Sequence, residues 1–242
     1  METFRVVPLL DSSASLGEPD ELIRRAGSDG YLYLRGLFDP NVVRDLRRLV
    51  LAECVRLGWL EAGSATDLAR AHPTLRGIRT GDPQSVELLA RVLPSVELDR
   101  IRREPSLERI LGAVFGGGFE THQGDVCRVV FPNAEHLTTP PHQDGAYVGV
   151  ERECWTVWTP LGDCPLALGP LALAPGSHRG GLFEHSGGAA RIPGEPGRGE
   201  WAASDLTCGD ALLFHALTIH RALPNRSGDT LRLSVDCRYR AE

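Results

Sequence analysis

His142-Gln143-Asp144, answered far downstream by His220 and a dozen positions later by Arg232, is the stretch on which the reading of this chain turns. In an extended segment, residues two apart share a face, so His142 and Asp144 can reach one ion together. With His220 as third donor, two imidazoles and a carboxylate occupy three corners of a metal and leave the opposite face open. That donor set, free of thiolate, suits Fe(II) held for oxygen chemistry, or Mn(II). Catalytic zinc can use the same groups, but the chain has no His-Glu-x-x-His helix. A His-x-Asp pair alone arises often by chance; the third donor and the arginine make the order specific. Arg232 follows His220 at a spacing that suits an anion clamp beside the metal.

The remaining histidines are read otherwise. His215 sits in an apolar run and is expected as a satisfied core residue. His178 closes the turn Pro175-Gly176-Ser177-His178, where a turn-stabilising hydrogen bond is expected. His136 lies close to the metal segment and is a candidate substrate contact. His72, His122 and His185 have no context that raises them.

Outward from these residues the chain divides in texture. Residues 1–120 read as a largely helical flank with one early strand. Asp39-Pro40 is a helix start with Asp at the N-cap and Pro at N1. Val43, Leu46, Val50, Cys54 and Leu57 then recur at helical spacing until Gly58. A shorter helix is predicted at Asp20–Ala26, a strand at Tyr31–Leu34, and a helix from Pro105 to Phe115 stopped by Gly116-Gly117-Gly118. Residues 121–242 carry short β-like runs between turn residues: Asp125–Phe131, Trp155–Leu161, Leu171–Ala174, Ala211–Leu217, Thr218–Leu223 and Thr230–Tyr239. Short strands without long intervening helices predict an antiparallel sandwich or barrel. Ser186–Gly199, rich in Gly and Pro, is predicted to be a surface loop or lid. Pro224–Asp229 reads as the turn of a hairpin setting His220 opposite Arg232 and Thr218 opposite Ser234, with the apolar face of Ile219, Leu223, Leu231, Leu233 and Val235 against the helices. One domain over residues 1–242 is expected.

Bulk properties narrow the function. A net charge of −6 disfavours nucleic acid or an anionic membrane as partner, and no apolar run reaches membrane-spanning length. All 26 basic residues are Arg, which removes Schiff-base and P-loop lysine chemistry and leaves Arg to hold any anion. Six scattered Cys and no visible signal peptide point to reduced thiols in the cytoplasm. The oligomeric state is not legible.

At these residues the chain resembles the phytanoyl-CoA dioxygenase family of Fe(II)/2-oxoglutarate oxygenases. The matching stretches are Ser28-Asp29-Gly30-Tyr31-Leu32, His142-Gln143-Asp144, Thr156-Val157-Trp158-Thr159, Gly169-Pro170-Leu171 with Pro175-Gly176-Ser177-His178, Cys208 through His215, and His220 through Arg232. The resemblance implies a mainly β fold, a double-stranded β-helix (jelly-roll, cupin-like) core with flanking helices. It implies Fe(II) on His142, Asp144 and His220, 2-oxoglutarate as cosubstrate with its distal carboxylate on Arg232, and O2 as oxidant. Trp158 matches a position that lines the cosubstrate pocket, and Thr139 and Gln143 are candidates for polar contacts there. Some members carry Ser two residues after the distal His; here the residue is Ala222. Retention of Asp144, which related halogenases replace with a small residue, favours hydroxylation. The expected function is therefore oxidation, by hydroxylation, of a C–H bond in a small molecule of bacterial natural-product biosynthesis, with His136, Tyr147 and Trp155 as candidate substrate residues. The rivals are a non-catalytic jelly roll and a cupin-type metalloenzyme that does not use 2-oxoglutarate.

Overall fold

A computed structural model describes residues 5–75, 77–186, 189–190 and 200–242. Five helices precede most of the strands: α1 (Pro19–Asp29), α2 (Pro40–Arg56), α3 (Pro83–Val92), α4 (Val96–Arg102) and α5 (Pro105–Phe115). α2 starts where its capping signal lies: Asp39 accepts from the Asn41 N–H at 2.8 Å, with Pro40 in the first turn. It buries Val43, Leu46, Val50, Leu51 and Cys54 on one face. α5 ends at Gly116, which adopts the left-handed φ of 65° that favours glycine. α1 runs longer than the predicted Asp20–Ala26. α3 and α4 were not anticipated; each buries only two residues, Leu88 and Val92 or Leu98 and Ile101, too few to mark a periodic face.

Two sheets pack face to face. The larger has the order β2 (Tyr31–Leu34), β10 (Ala211–His215), β5 (Cys154–Pro160), β12 (Arg232–Ala241), β3 (Phe119–Thr121), with β4 (Val126–Val130) also paired to β12. The smaller has the order β1 (Arg5–Val7), β9 (Glu200–Ala202), β6 (Leu171–Leu173), β11 (His220–Ala222). Of these pairs only β1–β9 is parallel. Between the main strands lie a one-turn helix, α6 (Gly145–Val148), and a short antiparallel pair, β7 (His185–Ser186) with β8 (Ala189–Ala190). The predicted lid at Ser186–Gly199 thus includes β8, but residues 187–188 and 191–199 lie outside the described part of the chain.

Strand alternation assigns the layers. Leu32, Leu34, Val157, Leu213, Leu233 and Val235 face the helices and join α1, α2, α4 and α5 in one core. Tyr31, Tyr33, Trp158, Leu212 and Phe214 face the smaller sheet and meet Leu171, Leu173, Ala202 and Ala222 in a second. This is the jelly-roll arrangement, helices on one outer face and a filled space between the sheets. All six cysteines are free and five are buried. Among the described residues no helix is long and apolar enough to cross a membrane.

The predicted C-terminal hairpin is not formed. β11 pairs with β6, and β12 with β5, β4 and β3, so the turn at Pro224–Asp229 carries the chain from one sheet to the other. Asn225 holds the crossing by donating to the Val130 and Thr230 carbonyls at 3.1 and 2.8 Å. Ile219 and Leu223 consequently pack with Trp201 outside the smaller sheet, away from the helices. The turn residues are right for either topology; only the distant partners decide. Gly169 shows how tightly the crossing fits. Its φ is +77°, and a Cβ there would sit 2.4 Å from the Leu223 carbonyl oxygen and 2.9 Å from the Asn225 nitrogen. Gly169→Ala is expected to cost about 2 kcal/mol or more, from left-handed strain plus backbone overlap, measurable by urea unfolding.

Candidate metal centre

His142 and His220 are brought together by the backbone itself. They exchange both peptide hydrogen bonds (2.9 and 3.0 Å) as an antiparallel bridge that extends the smaller sheet beyond β11. Their ring centroids lie 4.1 Å apart. Each Nδ1 faces a carbonyl two residues earlier, Pro140 at 2.9 Å and Thr218 at 3.0 Å. A carbonyl can only accept, so Nδ1 carries the proton and each Nε2 keeps its lone pair for an ion. Those Nε2 atoms stand 3.7 and 3.8 Å from Asp144 Oδ1, and all three donor atoms fall within 4.8 Å of one another.

The protonation states suit a cation. Burial, reinforced by the neighbouring His220, pulls the His142 pKa down to about 3, and burial lowers His220 as well. Burial alone would raise Asp144. His220, Arg238 and His142 beside it, and the Thr156 hydroxyl, hold it well below the usual carboxylate range. The triad is thus two neutral imidazoles and a carboxylate, the form that binds metal without first losing protons.

Asp144 heads α6 and reaches the larger sheet. Thr156 on β5 donates to Oδ2 at 2.6 Å, while Arg238 on β12 donates through Nε to Oδ2 and Nη2 to Oδ1, both at 3.2 Å. Thr156 and Arg238 are cross-strand partners, and Arg238 Nη1 is anchored on the Gly124 carbonyl. Neither residue was found from the sequence. The available signal was the alternation along β12, in which Arg232, Ser234, Asp236 and Arg238 share one face. Arg238→Met should weaken divalent-metal affinity about 10- to 100-fold by freeing the carboxylate to turn, read by anaerobic titration against a chelating dye.

Gln143 points the other way. Its amide donates to the Gly181 and Leu217 carbonyls at 2.8 and 2.7 Å and accepts from the Phe183 N–H at 2.8 Å. It fastens the neighbouring loop, so the predicted cosubstrate contact is corrected: the alternation that pairs His142 with Asp144 turns the residue between them away. Trp155 is corrected for the same reason. It faces the helical core, with its indole N–H on Glu153 at 2.9 Å. His215 accepts from the Leu217 N–H, and His178 donates to the Gly27 carbonyl, as structural residues.

Arg232 and Trp158 lie in the space between the sheets. Arg232 is 1% exposed and Trp158 fully buried, with the guanidinium carbon 5.8 Å from the indole ring. Arg232 Nη1 donates to the Ser234 hydroxyl at 2.7 Å; its Nε and Nη2, and the Trp158 Nε1, are buried with no hydrogen-bond partner among the described residues. Among the described residues no carboxylate pairs with Arg232, and burial lowers its pKa. A buried cation with idle donors is costly unless an anion meets it. Ala222, in the same layer, offers no hydroxyl.

A cavity of about 690 Å³ opens over His142, Asp144 and Arg238. Thr139, His136 and Tyr147 line it, as does Arg128; Trp59, Ile78, Leu88, Phe131 and Leu137 supply apolar wall.

Residues 27–233 match the phytanoyl-CoA dioxygenase (PhyH) family. A 1-deoxypentalenic acid 11-beta-hydroxylase of Streptomyces arenae is 31% identical over 246 residues, covering 94% of this chain and 83% of that protein. Among solved structures, the epimerase SnoN in complex with Fe3+, alpha ketoglutarate and nogalamycin RO superposes with a TM-score of 0.65 at 24% identity, covering 93% of this chain and 84% of the other. The carbocyclase SnoK from nogalamycin biosynthesis gives 0.63 at 19% identity, covering 91% and 83%. Those two likenesses speak to the fold, which is the jelly roll described above, while the match over 27–233 settles descent: the chain belongs to the phytanoyl-CoA dioxygenase family.

Proposed function

We propose that this chain is an Fe(II)- and 2-oxoglutarate-dependent dioxygenase that hydroxylates a C–H bond of an apolar small molecule. In this reading His142, Asp144 and His220 hold the iron, and Arg232 holds the distal carboxylate of 2-oxoglutarate. The observation that carries it is the buried, unpaired Arg232 in the same interior as a preformed, deprotonated triad. Three idle donors, two on Arg232 and one on Trp158, suit a carboxylate. With iron and 2-oxoglutarate bound, the site supplies the oxidising power of O2, as the keto acid loses CO2 to become succinate, for insertion of oxygen into C–H.

The chain's own residues have separate tasks. The Pro140 and Thr218 carbonyls fix both imidazoles in one tautomer. Thr156 and Arg238 hold the Asp144 carboxylate between the sheets. The apolar layer of Trp158, Leu171, Leu173 and Phe214 keeps water from the clamp, so that its charge acts at full strength. The wall of the 690 Å³ cavity, a volume within the roughly 300–1,000 Å³ of ligand sites, positions the substrate. The hydroxylase activity named for the Streptomyces relative supports hydroxylation, and the biosynthetic origin of SnoK and SnoN supports a natural-product substrate. We also read residues 1–242 as one domain, because helices and larger sheet share one core, and the free cysteines as those of a cytoplasmic protein.

The test is an anaerobic titration of the Fe(II)-loaded protein with 2-oxoglutarate. A weak visible charge-transfer band is expected, because keto acid and metal must chelate; absence of the band at saturating keto acid would sink the reading.

A further inference from the structure

Arg128 lies on β4 directly opposite Ser234 of β12, on the inward row that also carries Arg232 and Arg238. Its Nε donates to Asp236 Oδ2 at 2.9 Å, which fixes the guanidinium plane. Its Nη1 and Nη2 have no hydrogen-bond partner among the described residues. The side chain is 19% exposed and lines the cavity beside His142 and Asp144, whereas Arg232 does not reach that cavity.

Counting charges gives the Nη groups a purpose. This step rests on the function proposed above. The ferrous ion brings two positive charges, and Arg128, Arg232 and Arg238 bring three. Asp144, Asp236 and the two carboxylates of 2-oxoglutarate supply four negative ones. These groups leave one positive charge over, and Arg79 adds another at the cavity wall. The cosubstrate has no third carboxylate to offer, and Arg238 is already committed to Asp144. An anionic group on the substrate would meet this surplus at the Arg128 Nη groups that face the cavity.

We propose that Arg128 is a specificity-determining residue that binds a carboxylate on the substrate, making the substrate class an apolar molecule bearing one acidic group. A guanidinium anchored through Nε presents its two Nη groups as a fork matched to a carboxylate. The apolar wall from Ile78, Leu88 and Phe131 takes the body of the molecule. The acidic group thereby fixes which carbon faces the metal.

The experiment compares two probes, 1-adamantanecarboxylate and its neutral carboxamide, binding to the full-length protein with Fe(II) and 2-oxoglutarate under anaerobic conditions. Binding is read by ligand-observed NMR and by the shift of the visible band. The wild type should prefer the acid by about tenfold or more, the usual scale for a part-buried charge pair. Arg128→Gln should abolish that preference while leaving 2-oxoglutarate affinity within about twofold of wild type. Arg128→Lys, which keeps charge but loses the fork, should retain part of it, and carries the comparison if the Gln variant does not fold. No preference in the wild type, or an unchanged preference in the variants, overturns the proposal. So does loss of 2-oxoglutarate affinity with the preference intact, which would assign Arg128 to the cosubstrate. A missing visible band in the wild type instead sinks the oxygenase reading, and the acid–amide comparison by NMR still decides the role of Arg128.

Discussion

Arg232→Met is expected to shift two measurements in opposite directions. Affinity for 2-oxoglutarate should fall by about 2–5 kcal/mol, the cost of stranding one partner of a buried charge pair, or roughly 30-fold to several thousand-fold. The ligand-free protein should at the same time become more stable, by about 1 kcal/mol or more, because the substitution removes a buried guanidinium that no described carboxylate pairs with and leaves an apolar chain of similar length among apolar neighbours. Keto-acid titration and thermal melting of the metal-free protein report the two effects separately. Unchanged affinity would show that Arg232 is not the clamp; a lower melting temperature would show that its charge is compensated in the free protein.

His220→Ala should eliminate stable metal binding. Removing a partner of a ligand typically costs about 10- to 100-fold in affinity, and removing the ligand itself exceeds that, so turnover should vanish. The fold should persist, because the pairing of residues 142 and 220 runs through peptide groups that the substitution leaves in place. Anaerobic metal titration with circular dichroism separates loss of the ion from loss of structure, and His142→Ala should behave alike. His215→Ala is the control. Its ring is engaged with the Leu217 N–H and lies outside the triad, so metal affinity should be retained.

Much of this was legible along the chain. Asp39-Pro40 and Gly116 marked helix ends because capping is local chemistry. Tyr31–Leu34 and the run around Val157 read as strands because alternation and β-branching are local too. The spacing of His142, Asp144, His220 and Arg232 pointed to one interior. What was lost is what depends on partners distant in sequence. The Pro224–Asp229 turn could close a hairpin or cross between sheets, and the choice belongs to β6, β5 and β4, which outcompete the local pairing. Trp155 and Gln143 were placed by their neighbourhood in sequence, whereas one step along a strand decides which side a residue serves. Arg128 and Arg238 carried no motif. Their importance comes from Asp236 and Asp144, more than ninety positions away in each case.

β12 has a consequence for how such an enzyme can diversify. Every second residue, from Arg232 to Arg238, belongs to the chemistry, and every intervening one, from Leu233 to Tyr239, belongs to the support beneath it. Inserting or deleting a single amino acid would exchange the two sets at once, sending the arginines into oil and the leucine and valine toward the iron. This strand can therefore accept replacements but not changes of length. New substrates must be won elsewhere, on the wall built by Gly77–Thr80 and α3, where the chain can lengthen or shrink without disturbing the frame that the oxidation depends on.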